Sequence, residues 1–336
     1  MTQKILQALN GKLSGTPPIW IMRQAGRYMP EYRALREKHT FLQLCHQPEL
    51  IAKVTELPIK AFGMDAAILF SDILVIPEAL DVGLRFEDAI GPIIERPLVQ
   101  GESLKHLHGQ SMKERLQYVT EGIKILKSSL KVPLIGFCGA PFTLASYMIE
   151  GKSSRMLSKT KKWMWQDPVS FHALLNRLTD CAIEFLHMQI EAGVEVVQVF
   201  ESWASFLGFS QFKEFSLMYL EKIIKSIKPK VPVILFCKGA SSFIQEIAAI
   251  SPSGISVDWS VDLASLRSRV PQSIALQGNL DPDVLHAAPS VIRKEAKGIL
   301  NAMRHDPAYI FNLGHGIAPD TPVDAVKVLV DCVHER

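Results

Sequence analysis

Arg23 and Arg27 are permanent cations four residues apart, separated by Gln24, Ala25 and Gly26, and they follow directly on the apolar run Pro18-Ile19-Trp20-Ile21-Met22. On one helical turn two guanidiniums repel unless they share an anion, so this spacing favours a clamp for a carboxylate or a phosphate. The plainer reading is an exposed Arg27–Glu31 pair, worth about 0.3–0.5 kcal/mol. Other polar residues stand just beyond apolar runs in the same way. Asp72 ends "LFSD" on the alternating face of Ile68 and Phe70. A helix cap is the alternative for it, but "DILVIPEA" meets Pro77 quickly and starts a helix poorly. Tyr147 follows "CGAPFTLAS" on an amphipathic stretch, where a tyrosine is more often core than catalytic. Glu201 and Ser202 lie in "FESW". His315 stands between two glycines, which permit a tight turn and leave its ring accessible. Paired arginines with an aspartate, a tyrosine, a serine and a histidine suit a ligand that carries several carboxylates.

Other chemistries find little support. The close histidine pair His106-Leu107-His108 has no acidic or cysteine neighbour, and no His-x-Cys precedes a distant cysteine, so no metal site is expected. Cys45, Cys138, Cys181, Cys237 and Cys332 are scattered and odd in number, which reads as reduced thiols in a cytoplasmic protein. There is no G-x-S-x-G nucleophile turn. "RQAGRY" is not G-x-G-x-x-G, and "EGKSS" (150–154) lacks the leading glycine of a P-loop because Ser146 stands there. A net charge of +3 sets up no global field for nucleic acid or a membrane, so an anionic ligand must meet locally placed cations. The apolar stretch 66–84 is broken by Asp72, Pro77, Glu78 and Asp81 and does not span a bilayer, and the N-terminus has too short an apolar stretch for a signal peptide.

The elements that must position these residues are eight short apolar runs: 18–23, 66–71, 133–138, 194–200, 231–237, 254–259, 273–279 and 309–314. Several are continuously apolar, as buried parallel strands are. Helical stretches lie between them at 48–62, 168–192 and 210–227. A last helix, 321–334, opens on "TPVD" with Thr321 as a capping residue and Asp324 in its first turn. Residues 80–110 read instead as a hairpin-like excursion. No linker or repeat divides the chain. The pattern predicts an α/β fold, a single (β/α)8 TIM barrel over 1–336 with insertions, in which function sits where strands end and the following loops begin. The polar residues above fall on that edge.

Several long stretches, in order, resemble the uroporphyrinogen decarboxylase family: "PPIWIMRQAGRYMPEYR" (17–33), "FSDILVIPEALDVGL" (70–84), "GFCGAPFTLASYMIEG" (136–151), "FESWASFL" (200–207) and "NLGHGIAP" (312–319). The resemblance implies a barrel enzyme without cofactor or metal, a homodimer, that removes the four acetate carboxyls of uroporphyrinogen III to give coproporphyrinogen III in haem and chlorophyll synthesis. It implies Asp72 as the catalytic residue beneath the macrocycle. It also implies that Arg23 and Arg27 bind substrate carboxylates, that the backbone through Gln24, Ala25 and Gly26 lines the site, and that Tyr147, Ser202 and His315 complete the polar contacts. For the proton donor, Tyr147, His315 and a proton-cycling Asp72 remain open. The rival readings are a corrinoid-linked methyltransferase, which would need a zinc-binding His-x-Cys that "LFCKG" (235–239) lacks, and a non-catalytic tetrapyrrole carrier.

Overall fold

Runs that are apolar on both faces become parallel strands, because only a sheet covered on both sides hides them. Among the residues described by the structure, a computed structural model covering 3–87, 90–108, 111–154, 156–239 and 241–335, there are nine strands. They are β1 (Ala67–Ile68), β2 (Leu84–Glu87), β3 (Gly91–Ile94), β4 (Leu134–Gly139), β5 (Val196–Glu201), β6 (Val233–Cys237), β7 (Gly254–Ser256), β8 (Ala275–Leu280) and β9 (Tyr309–Leu313). The side chains of His106 and His108 lie outside the described residues. Seven strands form one curled parallel sheet in the order β1-β4-β5-β6-β7-β8-β9, with helices packed on its outer side. β2 and β3 make the expected antiparallel hairpin.

The eighth expected strand, 18–23, is a stave without a regular ladder. It has a single parallel bridge, Ile19 to Phe311, and hydrogen bonds to both neighbours: Phe311 N–H donates to the Pro18 carbonyl at 2.9 Å and Asp65 N–H to the Ile19 carbonyl at 2.9 Å. Side chains supply the rest. The Asp65 carboxylate accepts from Ile19 N–H at 2.9 Å, and the Asn312 amide oxygen from Met22 N–H at 3.1 Å. Pro17 and Pro18 have no N–H to offer, so the ladder cannot start earlier. This segment fills the gap between β9 and β1.

Period-two alternation then divides the inner wall from the outer. Ile135, Val196, Ile234, Ala275 and Ile310 join Trp20 and Met22 in an inner cluster, which also takes in Ile5, Ala8 and Leu9 of the helix Lys4–Leu9. That helix plugs the end at which the strands begin. Above the plug runs a polar layer, where the Trp20 indole donates to Gln277 at 2.9 Å and the Gln277 amide to Gln198 at 3.0 Å. At the other end, where the strands finish, half-buried polar residues gather: Asp72, Ser202 and His315.

Two expected helices match closely: Pro48–Phe62 ends at Gly63, whose φ of 67° suits glycine, and Pro168–Ala192 ends at Gly193. Two local expectations are corrected. The last helix runs Val323–His334 with Pro322 at its N-cap, and the Thr321 hydroxyl is buried without a hydrogen-bond partner rather than capping. The segment after Asp72 does form a helix, Val75–Ala79, because Pro77 falls in its first turn, where a missing N–H is harmless.

Candidate active site

The first stave ends in a conformation that few residues adopt. Arg23 has a φ of 62°, a left-handed backbone that costs a non-glycine residue about 1–3 kcal/mol and gathers at functional sites. The cost is offset by a pinned turn. The buried Gln24 amide accepts from Ile21 N–H at 3.2 Å and donates to the Ala66 carbonyl at 3.2 Å, so the turn is tied to the start of β1. Tyr28 donates its hydroxyl to the Gln24 carbonyl at 2.6 Å, and Arg33 donates to the carbonyls of Arg27 and Tyr28, each at 2.9 Å. Ala25 and Gly26 line this turn half-buried. Gly26 is pressed close, with its Cβ position 3.3 Å from the Arg23 carbonyl oxygen.

Residues 23–29 are turns and bends, and the next helix begins at Pro30, so the expected single helical turn carrying both arginines is absent. The Arg27–Glu31 ion pair does not form either. Arg23 reaches toward β9: a Cβ on Gly316 would lie 2.5 Å from its Cδ. Arg27 is exposed at the rim, and its charge is felt by Tyr32.

β1 is short because the N–H of Phe70 leaves the ladder and donates to the Thr55 hydroxyl at 2.9 Å. The chain thereby turns Asp72 onto the mouth. One carboxyl oxygen accepts from Leu74 N–H at 2.8 Å, and the other takes no bond from a described residue. Burial pushes the Asp72 carboxyl above its usual range, and the nearby Glu78 adds to this, while the Leu74 N–H and the Arg23 charge pull it back. Burial thus disfavours the ionised carboxyl, and the Leu74 N–H and the Arg23 charge compensate only in part.

Tyr147 sits on the helix Pro141–Glu150 that follows β4, half-buried against the core and with its ring 5.7 Å from that of Trp203. Burial raises its phenol, a bond to Ser153 lowers it, Asp72 raises it and Arg23 lowers it. His315 follows β9, edge-on to Phe236 at 6.0 Å. Burial brings its imidazole down to about 4, helped by the charges of Lys238 and Arg23 and opposed by the Gly316 backbone and Asp258. It is therefore neutral at pH 7. Arg23, Asp72, Tyr147 and His315 form one electrostatic group; Arg27 stands apart from it at the rim.

Ser202 is held by a brace that sequence reasoning passed over. The Thr143 hydroxyl accepts from Ser202 N–H at 2.8 Å and donates to Glu201 at 2.5 Å. Glu201 is buried on the outward face of β5. It also accepts from the Ser216 hydroxyl at 3.0 Å and Trp203 N–H at 3.2 Å, and burial raises its carboxyl to about 7. Ser216 lies in a single π-helical stretch, Lys213–Leu217, a form that often marks functional sites. The acidic residue in "FESW" next to a strand end was the available signal. Lys238 beyond β6 was missed as well. Among the described residues no group of three or more His, Cys, Asp or Glu side chains is placed to hold a metal ion.

A parallel barrel, plugged at one end and carrying guanidiniums and a carboxylate with one oxygen free of described partners at the other, is the layout of a TIM-barrel enzyme for an anionic substrate. The family model described as "Uroporphyrinogen decarboxylase (URO-D)" matches residues 1–336. A uroporphyrinogen decarboxylase of Protochlamydia amoebophila (strain UWE25) is 53% identical over 333 residues, which cover 99% of this chain and 92% of the relative. One from Ruthia magnifica subsp. Calyptogena magnifica is 46% identical, covering 98% and 97%. In structure the chain is similar to a methyltransferase from Methanosarcina mazei, with a TM-score of 0.83, 22% identity and coverage of 99% and 97%, a likeness of fold. The chain belongs to the uroporphyrinogen decarboxylase family, and is therefore an enzyme of the carboxy-lyase class.

Proposed function

We propose that the barrel, a single catalytic domain over 1–336, removes the acetate carboxyls of uroporphyrinogen III as carbon dioxide, leaving methyl groups in coproporphyrinogen III, with Asp72 as the catalytic residue. The observation that carries the reading is Asp72: a carboxylate at the mouth with one oxygen that takes no bond from a described residue, its ionised form disfavoured by burial and favoured by the Arg23 charge. A pyrrole protonated at its α-carbon becomes a cationic electron sink. The electron pair of the breaking C–CO2 bond flows into that ring, an exocyclic methylene forms, and protonation of the methylene with loss of the α-proton gives the methyl group. Each turnover replaces one carboxylate by one proton.

The carboxylate stabilises the ring cation because it is already oriented and weakly screened. Its burial cost is relieved as the cation develops, so the benefit falls on the transition state rather than on the bound substrate. Its free oxygen also accepts from pyrrole N–H groups. Arg23 holds substrate acetates and propionates, Arg27 meets them at the rim, and each charge-assisted bond is worth about 1.5–3 kcal/mol. The backbone of Gln24, Ala25 and Gly26 lines the site, and Ser202 supplies a further polar contact. His315, neutral at pH 7, and Tyr147, whose phenol keeps its proton, act as hydrogen-bond partners. Five free, buried cysteines suit a reducing cytoplasm, and we place the enzyme there as a homodimer.

Anaerobic incubation with uroporphyrinogen III, with and without a chelator, tests the reading. Products with seven to four carboxyls should appear at equal rates in both arms. Ligand binding without carbon dioxide release would favour a carrier, and loss of activity with the chelator would favour metal chemistry.

A further inference from the structure

Lys238 has no part in the reaction described so far. It follows directly on β6, and alternation from the inward-facing Ile234 and Phe236 turns it toward the mouth. Its backbone N–H donates to the Glu201 carbonyl at 3.0 Å, so the sheet fixes its base. Counting staves round the barrel from 18–22 through β1, β4 and β5, β6 stands on the wall opposite the first stave. Arg23 and Lys238 thus approach the mouth from opposite sides.

Among the described residues the ammonium of half-buried Lys238 has no ion-pair partner. The acid at the neighbouring strand end, Asp258, is engaged locally: it accepts from Gly239 N–H at 2.7 Å, from Ser260 N–H at 3.0 Å and from the Ser260 hydroxyl. His315 feels the charge of Lys238, which opposes protonation of that ring. A half-buried lysine with no anion beside it gains no ion pair by staying, and its long flexible side chain is free to turn to solvent. The arrangement makes sense if an anion arrives with the ligand.

We propose that Lys238 is a second carboxylate subsite, which binds a rim carboxylate of the macrocycle on the side opposite Arg23. The inference rests on the functional reading above. A ring with acids on its whole perimeter is held in the plane of the mouth only if cations meet it from more than one side; the arginines of the first loop leave the far side to water. The carboxylate is an acetate or a propionate of the same macrocycle, two arms that the assay separates.

The test is steady-state anaerobic kinetics of the full chain and of Lys238→Met, Lys238→Gln and Lys238→Arg. Both neutral variants should raise KM for uroporphyrinogen about ten- to hundredfold, the span expected of one charged hydrogen bond, with a smaller loss in kcat and a shallower dependence of KM on salt. Lys238→Arg should recover most of the affinity. With the five-carboxyl intermediate as substrate, a persistent KM defect assigns a propionate and a reduced one an acetate. Unchanged KM in the neutral variants, equal losses in the arginine and neutral variants, or unfolding of both neutral variants would overturn the subsite. If the unaltered chain releases no carbon dioxide, the functional reading itself falls, and the subsite with it.

Discussion

Replacing Asp72 by asparagine removes one charge and little else. The asparagine oxygen can still accept from Leu74 N–H, the bond that Asp72 makes at 2.8 Å, and the volume is conserved. The charge is what the transition state loses. A unit anion about 4 Å from a ring cation, at an effective dielectric constant of about 20, contributes about 4 kcal/mol. At about 1.4 kcal/mol per tenfold, that is a loss of roughly a thousandfold in kcat. KM should change far less, because the arginines remain. Stability should move the other way. Burial raises the folded-state pKa of this carboxyl, so the ionised form opposes folding above the unfolded-state pKa, and removing the charge should leave Tm equal or higher at pH 7. The assay is carbon dioxide release under anaerobic conditions beside a thermal melt. A rate within tenfold of the unaltered enzyme would refute the electrostatic role; a large fall in Tm would refute the claim that the substitution spares the fold.

Three further outcomes follow from the site. Gly316→Ala places a Cβ 2.5 Å from Arg23 Cδ, so it should displace that side chain and raise KM about tenfold or more, with Tm within a few degrees, by steady-state kinetics and melting. Thr143→Val leaves Ser202 N–H and buried Glu201 short of a partner, which should cost about 1–3 kcal/mol in denaturant unfolding and lower kcat by loosening Ser202. The lowered pKa of His315 implies a ring that stays neutral as pH rises from 5 to 8, so an NMR titration should place its midpoint near 4, and Lys238→Met should move it upward. A midpoint at the ordinary histidine value in the unaltered chain would contradict the burial described.

What could be read from the sequence was whatever local chemistry encodes. The helix Pro48–Phe62 begins with proline and ends at Gly63, and both signals lie within a few residues of the event they mark. Asp72 was legible because it closes an apolar run, although the alternation from Ile68 and Phe70 that singled it out does not continue: the strand ends at Ile68, and Phe70 turns away to Thr55 and packs against Tyr32 and Phe41. The first stave was harder: its hydrogen bonds go to Asp65 and Asn312, which are 46 and 290 residues away, so an apolar run gave no hint that its ladder would be broken. The left-handed Arg23 is set by Gln24 and Ala66, and i,i+4 spacing alone suggested a helix there. Glu201 faces away from the mouth, and its role as the anchor of the Ser202 turn appears only when Thr143 and Ser216 are brought to it from other elements. Site residues that point along their own strand could be found; those that act through a neighbour could not.

The most direct test of the central claim is the structure of the chain crystallised anaerobically with coproporphyrinogen III, read for one distance, from the Asp72 carboxylate oxygens to the pyrrole nitrogens. The account predicts about 2.7–3.2 Å, hydrogen-bonding contact, with the macrocycle bent over the carboxylate in the mouth. A macrocycle seated elsewhere, or an Asp72 side chain turned away from it into the protein, would contradict it.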